Sequence, residues 1–159
     1  MELLIVRHAK AKDRLRFAES GQDDAQRPLT KGGRRSFRKA ARTLRTILPA
    51  RSLVASSRLV RAAETAELLA EACGTGPVRY LEELEPSARP EAAIRWLNRQ
   101  RRQAVIALIG HEPHLSRLAA LLLVGAPRSF MLLEKGGACL IDLGTAPKAG
   151  AGTLRWLRR

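Results

Sequence analysis

The chain has 159 residues, of which 45% are hydrophobic and 28% are charged. This length and composition are typical of one globular domain and exclude a disordered or collagen-like chain. The longest apolar stretch, residues 118–126, is too short to span a bilayer, and no basic segment precedes the apolar start as it does in a signal peptide. The two cysteines are not spaced as metal ligands. We therefore expect a reduced, cytoplasmic protein with a single domain over residues 1–159.

The net charge of the chain is +14, and it is unevenly distributed. Residues 1–61 contain 16 basic and 5 acidic residues, a balance of +11, whereas the rest of the chain has a balance of only +3. Such a field attracts phosphates, acidic proteins, polyphosphate or nucleic acid. The arginine-rich composition of a GC-rich genome is an alternative source of part of this charge.

The first third of the chain predicts a strand, a long loop and a helix. Residues 2–6 are a buried strand rich in Leu, Ile and Val, and residues 9–29 have no clear period, which is typical of a functional loop. Thr30 can cap a helix over residues 31–48, whose apolar side chains recur on one face.

Basic residues of this predicted helix fall on another face: Lys31, Arg35, Arg38, Arg42 and Arg45. A stripe of this kind is most often a solvated helix face. The alternative is a docking surface for an acidic partner.

The middle of the chain continues the alternation of strands and helices. Residues 52–56 predict a second strand, after which Ser57 caps a helix over residues 58–73. A short strand follows at residues 78–80, and a further helix begins near Pro90.

The last third predicts one more buried strand and helix before the edge of the sheet. Residues 104–109 form a continuous apolar strand, as a parallel sheet requires, and residues 113–124 form a helix. Residues 129–158 predict two or three edge or antiparallel strands. The whole pattern indicates an α/β domain with a mostly parallel sheet.

Unusual polar residues follow three of the predicted strands. Arg7 and His8 end the first strand, Arg61 follows the second, and His111 follows the strand at residues 104–109. Because the carboxyl ends of parallel strands form one rim where ligands bind, these side chains should meet there. Guanidinium groups grip tetrahedral oxyanions through paired hydrogen bonds. The sequence therefore predicts a phosphate site that uses no metal.

Three motifs resemble those of the histidine phosphatase superfamily, which has the phosphoglycerate mutase-like fold. They are Leu-Ile-Val-Arg7-His8-Ala9, Ser57-Arg-Leu-Val-Arg61-Ala-Ala-Glu-Thr65 and Gly110-His111-Glu-Pro113. Arg27-Pro-Leu-Thr30-x-x-Gly33 and the short chain are similar to the SixA-type phosphohistidine phosphatases. The resemblance implies a three-layer αβα sandwich with a mostly parallel central sheet and an antiparallel edge strand.

The resemblance also implies a covalent mechanism that needs no cofactor. His8 would be the nucleophile and would form a phosphohistidine intermediate that water then hydrolyses. Arg7 and Arg61 would hold the phosphoryl oxygens, and His111 would donate a further hydrogen bond. Nearby arginines should lower the pKa of His8, which must be neutral to attack.

Two further assignments follow from the same resemblance. Arg27 would be another phosphate-binding residue at the end of the long loop. Glu83 would be the proton donor to the leaving group, with Glu82 and Glu85 as alternatives. Phosphoimidazole is a good leaving group, so a phosphohistidine phosphatase could work without a strong acid.

Two residues depart from the superfamily pattern, and a third feature invites a metal interpretation. Ala9 stands where glycine is usual, and Arg58 stands where proline is usual. His111-Glu-Pro-His114 is not the His-Glu-x-x-His zinc motif, and Pro113 disfavours a continuous helix through both histidines. We therefore predict no metal site.

The substrate prediction depends on the short segment between Arg61 and Glu83, which leaves little room for a lid over the pocket. An open basic pocket suits a phosphohistidine on a protein surface, such as a phosphotransfer domain. Polyphosphate or small phosphoesters are the alternative substrates. A polyanion- or nucleic-acid-binding module is a distant alternative, because aromatic residues for base stacking are only 4% of the chain. We expect a monomer that binds neither membranes nor nucleic acid.

Overall fold

The computed structural model describes residues 1–128 and 130–158. Ser129 and Arg159, which the predicted domain includes, lie outside the described residues. The strands are β1 (Glu2–Arg7), β2 (Leu53–Ser56), β3 (Arg79–Tyr80), β4 (Val105–Gly110), β5 (Ala138–Asp142) and β6 (Thr153–Arg158). The α-helices are α1 (Arg14–Ala18), α2 (Lys31–Leu44), α3 (Val60–Cys73), α4 (Pro90–Asn98) and α5 (His114–Val124). None of the described helices is both long and apolar enough to cross a membrane.

One mixed sheet contains the strands in the order β3-β2-β4-β1-β5-β6. The first four are parallel to one another, whereas β5 runs antiparallel to β1 and β6 antiparallel to β5. The predicted α/β fold with a mostly parallel sheet and an antiparallel edge is therefore confirmed. In the register of the sheet Arg7 lies opposite Gly110, and Ser56 lies opposite Ile109. The carboxyl ends of β1, β2 and β4 consequently meet at one rim.

Alternating residues of the central strands supply two separate hydrophobic cores, one on each face of the sheet. Leu4 and Val6 of β1 pack with apolar side chains of α2 and α3. Leu3 and Ile5 of the same strand pack with apolar side chains of α4 and α5. Because a strand alternates its side chains between two faces, one short buried strand can join both helix layers. This arrangement is the predicted three-layer αβα sandwich.

Three local predictions differ from the structure. The predicted loop at residues 9–29 contains α1 and a 3-10 turn, which begin at the carboxylates of Asp13 and Asp23. Helix α2 ends at Leu44 rather than at residue 48, and the chain continues in a turn in which the Ile47 and Leu48 amides both donate to the Leu44 carbonyl. Ser57 does not cap α3, which begins at Val60 with no side-chain cap.

The start of α2 is fixed against the loop that follows β1. Thr30 caps the helix by accepting a hydrogen bond from the Gly33 amide at 2.9 Å. The Lys10 carbonyl oxygen accepts from the Thr30 amide at 2.9 Å and from the Thr30 hydroxyl at 3.2 Å. A Cβ atom on Gly33 would lie 2.2 Å from that same oxygen. The Thr30-x-x-Gly33 motif thus allows close contact between helix and loop.

We predict that Gly33→Ala destabilises the protein by about 2 kcal/mol or more, because the added methyl group must push α2 away from the Lys10 carbonyl. Gly32→Ala is the matched control, since a Cβ there meets nothing closer than 4.0 Å. The control should change the free energy of unfolding by less than about 1 kcal/mol, in either direction. Urea denaturation of both variants measures the difference. Equal stability of the two variants would contradict this account of the motif.

Candidate active site

A cavity of about 730 Å³ opens at the rim where β1, β2 and β4 end. It is lined by five of the residues that the sequence singled out, namely Arg7, His8, Arg27, Arg61 and His111. The structure therefore brings together side chains from three strand ends and from the loop before α2. Their roles in a reaction remain predictions.

His8 is buried in a state that suits a nucleophile. Its Nδ1 donates a hydrogen bond to the Ala9 carbonyl oxygen at 2.8 Å, so in the neutral ring the lone pair lies on Nε2. Burial lowers the pKa of His8 to about 4, and the charges of Arg61, Arg7 and Arg27 act in the same direction. The imidazole is consequently neutral at pH 7.

Main-chain carbonyls hold two of the arginines at the cavity. Arg7 donates from Nη1 to the Leu133 carbonyl at 2.8 Å, and Arg61 donates from Nη1 to the Asp24 carbonyl at 2.9 Å. The Nε atoms of both guanidinium groups are buried without a hydrogen-bond partner among the described residues. Both arginines are therefore fixed in place and retain hydrogen-bonding capacity toward a bound anion.

Asp24 is a member of the cavity that the sequence analysis missed. Its carboxylate lies 2.8 Å from Arg27 Nε, 3.2 Å from Arg61 Nη2 and 3.8 Å from Arg14 Nε. Burial opposes ionisation of this carboxyl group, but the hydrogen bond from Arg27 and the charges of Arg61 and Arg27 outweigh it and lower its pKa. Asp24 is thus an anion that occupies the donors a phosphoryl group would use. Asp24 lies three residues before Arg27 in the polar loop, and this spacing was the feature of the sequence that could have predicted an ion pair between them.

Ser57 does not line the cavity, but it contacts one of the residues that do, a role that the sequence analysis missed. It was predicted to be a helix cap, but its hydroxyl is hydrogen-bonded to His111 Nε2 at 2.6 Å, and Ser57 is fully buried. Burial lowers the pKa of His111 to about 3, and the charges of His8, Arg61 and His114 lower it further. The rings of His8 and His111 lie 5.2 Å apart. Ser57 therefore fixes the orientation of a second neutral histidine beside the first.

Thr65 connects the first motif to the second. Its hydroxyl accepts a hydrogen bond from the Ala9 amide at 3.1 Å and donates to the Arg61 carbonyl at 2.7 Å. None of the described residues other than glycine has a positive φ, so Ala9 replaces the usual glycine without backbone strain. The nucleophile candidate and the arginine on α3 are thus held in one hydrogen-bonded unit.

Glu83, the predicted proton donor, does not line the cavity. The 3-10 turn at residues 82–84 directs its carboxylate toward Arg99, the residue that follows α4, 3.5 Å away. The alternative Glu82 is exposed and lies 3.7 Å from Arg58, another exposed side chain outside the cavity lining. The cavity does contain Asp13 and Glu112 in addition to Asp24. The structure therefore gives Glu83 no direct position for proton transfer.

His114 lies outside the cavity lining, in the first turn of α5. It is buried, and neither ring nitrogen has a hydrogen-bond partner among the described residues. Burial lowers its pKa to about 4, with a further contribution from Arg117. The buried ring is therefore neutral at pH 7 and lies outside the cavity that His8 and His111 line.

The sequence of this chain matches one protein-family model and one curated protein. The family model described as "Histidine phosphatase superfamily (branch 1)" matches residues 3–87. An uncharacterized protein of Picosynechococcus sp. is 33% identical over 149 residues, covering 92% of this chain and 87% of that protein.

Three solved structures share the fold of this chain. The protein histidine phosphatase SixA complexed with tungstate has a TM-score of 0.83 at 24% identity, with coverage of 99% of this chain and 96% of that one. A candidate phosphohistidine phosphatase SixA of Agrobacterium tumefaciens has a TM-score of 0.77 at 20% identity, with 99% and 97% coverage. The alpha-ribazole phosphatase of Shigella flexneri has a TM-score of 0.74 at 22% identity, with 100% and 96% coverage.

The neutral state of His8 predicts an NMR titration. In histidine-labelled protein the His8 ring signals should have a midpoint near pH 4, because burial disfavours the imidazolium form. In urea, where the ring is solvated, the midpoint should return to about 6.5. Added phosphate should raise the folded-state midpoint, since an adjacent anion favours the imidazolium form. A midpoint near 6.5 in the folded protein would contradict the neutral-nucleophile account.

The position of Asp24 predicts tighter oxyanion binding when its charge is removed. Asp24→Asn should lower the dissociation constant of vanadate or phosphate by roughly tenfold, about 1.4 kcal/mol, because a competing carboxylate leaves Arg27 and Arg61. Asp23→Asn is the matched control, since Asp23 is exposed and caps the same turn without contacting an arginine. Isothermal titration calorimetry compares the two. Weaker binding by Asp24→Asn would show that the carboxylate instead positions the arginines.

Proposed function

Because the chain belongs to the histidine phosphatase superfamily, we propose that it is a metal-independent phosphohistidine phosphatase that dephosphorylates a protein. Membership supports a phosphatase, and the family match includes the first two of the three motifs that predicted the superfamily. The observation that carries the proposal is the neutral His8 in a cavity that it shares with Arg7, Arg27 and Arg61.

The proposed reaction has two displacement steps at phosphorus. In the first, the lone pair on His8 Nε2 forms a bond to phosphorus while the bond to the substrate imidazole breaks, and that imidazole takes a proton from water. In the second, water attacks the phosphohistidine, the bond to Nε2 breaks, inorganic phosphate leaves, and the proton that this water loses neutralises the hydroxide left by the first step. The first step moves the phosphoryl group between two imidazole nitrogens of similar basicity, so positioning matters most there.

The arginines supply the charge neutralisation that phosphoryl transfer requires. Arg7 and Arg61 are held by carbonyls at 2.8 and 2.9 Å and keep further N–H groups for the substrate oxygens. Preorganised donors of this kind stabilise the charge of the transition state without the reorganisation that water would need. These groups are the basis for proposing a mechanism without a metal.

The shape and the acid–base groups of the cavity favour a phosphorylated histidine over an alkyl phosphate. Between the end of α3 and the start of α4 the chain forms β3 and one 3-10 turn, so the rim stays open to a protein surface. Glu83 pairs with Arg99, and the carboxyl group of Asp24 is held ionised by its arginines. An imidazole leaving group, unlike an alkoxide, does not need a strong proton donor.

Small phosphoesters or polyphosphate are the second candidate substrates. The cavity rim carries Lys10, Lys12 and Lys135 in addition to its arginines, which would attract any phosphate-rich anion. We also propose that the protein acts as a monomer in the cytoplasm. Both of its cysteines are free and buried, which suits a reducing compartment.

We predict that His8→Ala lowers phosphate release from a phosphohistidine peptide by about 1,000-fold or more, because no covalent intermediate can form. His114→Asn is the matched control, since this buried histidine does not line the cavity, and it should keep activity within a fewfold if circular dichroism shows that it folds. The wild-type rate should be unchanged by EDTA and higher on the peptide than on p-nitrophenyl phosphate or polyphosphate.

Two results would contradict the proposal in different ways. Full activity of His8→Ala, or loss of wild-type activity in EDTA, would refute the covalent metal-independent mechanism. A preference for polyphosphate or p-nitrophenyl phosphate with the same dependence on His8 would keep the mechanism and refute the phosphohistidine substrate.

A further inference from the structure

A basic surface, formed by the exposed side of α2, begins at the rim of the active-site cavity. We propose that this surface binds acidic side chains of the phosphorylated protein while its phosphohistidine occupies the cavity. The inference rests on the proposed function and adds to it the chemistry of the protein partner.

The charge of this surface is almost entirely uncompensated. A groove of about 400 Å³ along α2 is lined only by basic residues: Lys31, Arg34, Arg35, Arg38, Lys39 and Arg42. Within residues 1–128 and 130–158, Arg34 is the member of this set that pairs with a carboxylate, that of Glu64. Glu71 of α3 shares a smaller neighbouring groove with Arg38 and Arg42 but lies beyond salt-bridge distance. The other five basic side chains of the groove are therefore available to bind carboxylates of another molecule.

The basic surface begins beside the cavity, because Thr30 lines the cavity and the next residue, Lys31, lines the basic groove. A second groove, of about 350 Å³, adjoins the cavity and is bordered on the α2 side by the small residues Gly32, Ser36 and Ala40. Lys10 and Lys135 line both this groove and the cavity. Because Gly32, Ser36 and Ala40 lie one helical turn apart, a bound chain could approach the helix closely along this path. A protein with its phosphohistidine in the cavity would therefore extend over α2.

The same surface is poorly suited to nucleic acid. Base stacking needs exposed aromatic rings, and Phe37, the aromatic residue of α2, is only 2% exposed. The cations instead follow the helix from Lys31 to Arg42, 12 residues or about 18 Å, a span that about five or six residues of an extended chain can cover. Spaced carboxylates on a protein surface match this array.

The test uses two unphosphorylated peptides and their phosphohistidine forms, each about 20 residues long with one histidine. One peptide carries about six Asp and Glu residues on one side of the histidine, and the other has Gln and Ser at those positions. Inhibition of p-nitrophenyl phosphate hydrolysis by the unphosphorylated peptides measures docking independently of the phosphohistidine reaction. The kcat/KM for hydrolysis of the phosphorylated peptides measures the effect of docking on catalysis.

The variant Arg35→Glu/Arg38→Glu/Arg42→Glu reverses part of the surface without altering the cavity lining. Arg51→Glu/Arg101→Glu/Arg102→Glu is the matched control, because these exposed residues precede β2 and β4 and so lie at the opposite end of the sheet. A glutamine version of the first variant provides a test that avoids repulsion if the glutamate version does not fold. Hydrolysis of p-nitrophenyl phosphate alone should differ little among all four proteins.

Wild type and control should be inhibited about tenfold more strongly by the acidic peptide than by the neutral one, and kcat/KM should favour the phosphorylated acidic peptide by about the same factor. The α2 variants should lose this preference and keep wild-type kcat/KM on the neutral phosphopeptide. The preference should also weaken with added NaCl, because exposed charges are screened.

Three outcomes of the peptide assays would overturn the proposal. They are no preference in wild type, a preference that survives in the α2 variants, or an equal loss in the control. Stronger inhibition by a single-stranded oligonucleotide or polyphosphate through the same arginines would overturn it in favour of a general polyanion surface. If neither phosphopeptide is hydrolysed, the proposed function fails, whereas the inhibition data still decide whether α2 binds acidic chains.

Discussion

Neutral histidines packed against arginine guanidiniums are the constraint on which the candidate site depends. A buried imidazolium beside Arg7 and Arg61 would be disfavoured by both desolvation and like charge, so the pKa of His8 lies near 4. The same conditions leave its Nε2 lone pair available, because Nδ1 donates to the Ala9 carbonyl. Charge neutralisation for an anion and activation of a nucleophile therefore come from one arrangement.

Asp24 explains how several cations can be kept close together without a bound anion. Its carboxylate lies within 3.2 Å of both Arg27 and Arg61, and its main-chain carbonyl accepts a further hydrogen bond from Arg61. An internal counterion of this kind lowers the repulsion between the arginines in the empty site, but it also competes with a substrate phosphoryl group. The balance between these two effects sets the affinity of the cavity for oxyanions.

Much of this molecule could be predicted from its sequence, and the errors have physical causes. Continuous apolar runs and capping residues define the strands and most helices, and the strand-end rule brought Arg7, His8 and His111 to one rim. Ser57 was misassigned because a serine before a helix predicts a cap, whereas the hydroxyl bonds His111, which is 54 positions away in sequence. The position of Glu83 outside the cavity lining could not be predicted, because sequence spacing does not give the direction of a side chain in a 3-10 turn. Contacts made through tertiary packing were the ones missed.

The Lys10 backbone links the cavity to α2, a helix with six basic residues and no acidic one. Its carbonyl accepts two hydrogen bonds from Thr30 and lies against Gly33, while Lys10 itself lines both the cavity and the adjoining groove. Glu64 of α3 adds a second connection, since it accepts from the Leu29 amide at 2.8 Å and pairs with Arg34. The arginines of α2 are consequently held at a fixed distance from His8. In the function that we propose, a fixed distance would allow the charge pattern on α2 to determine which phosphoryl group reaches His8.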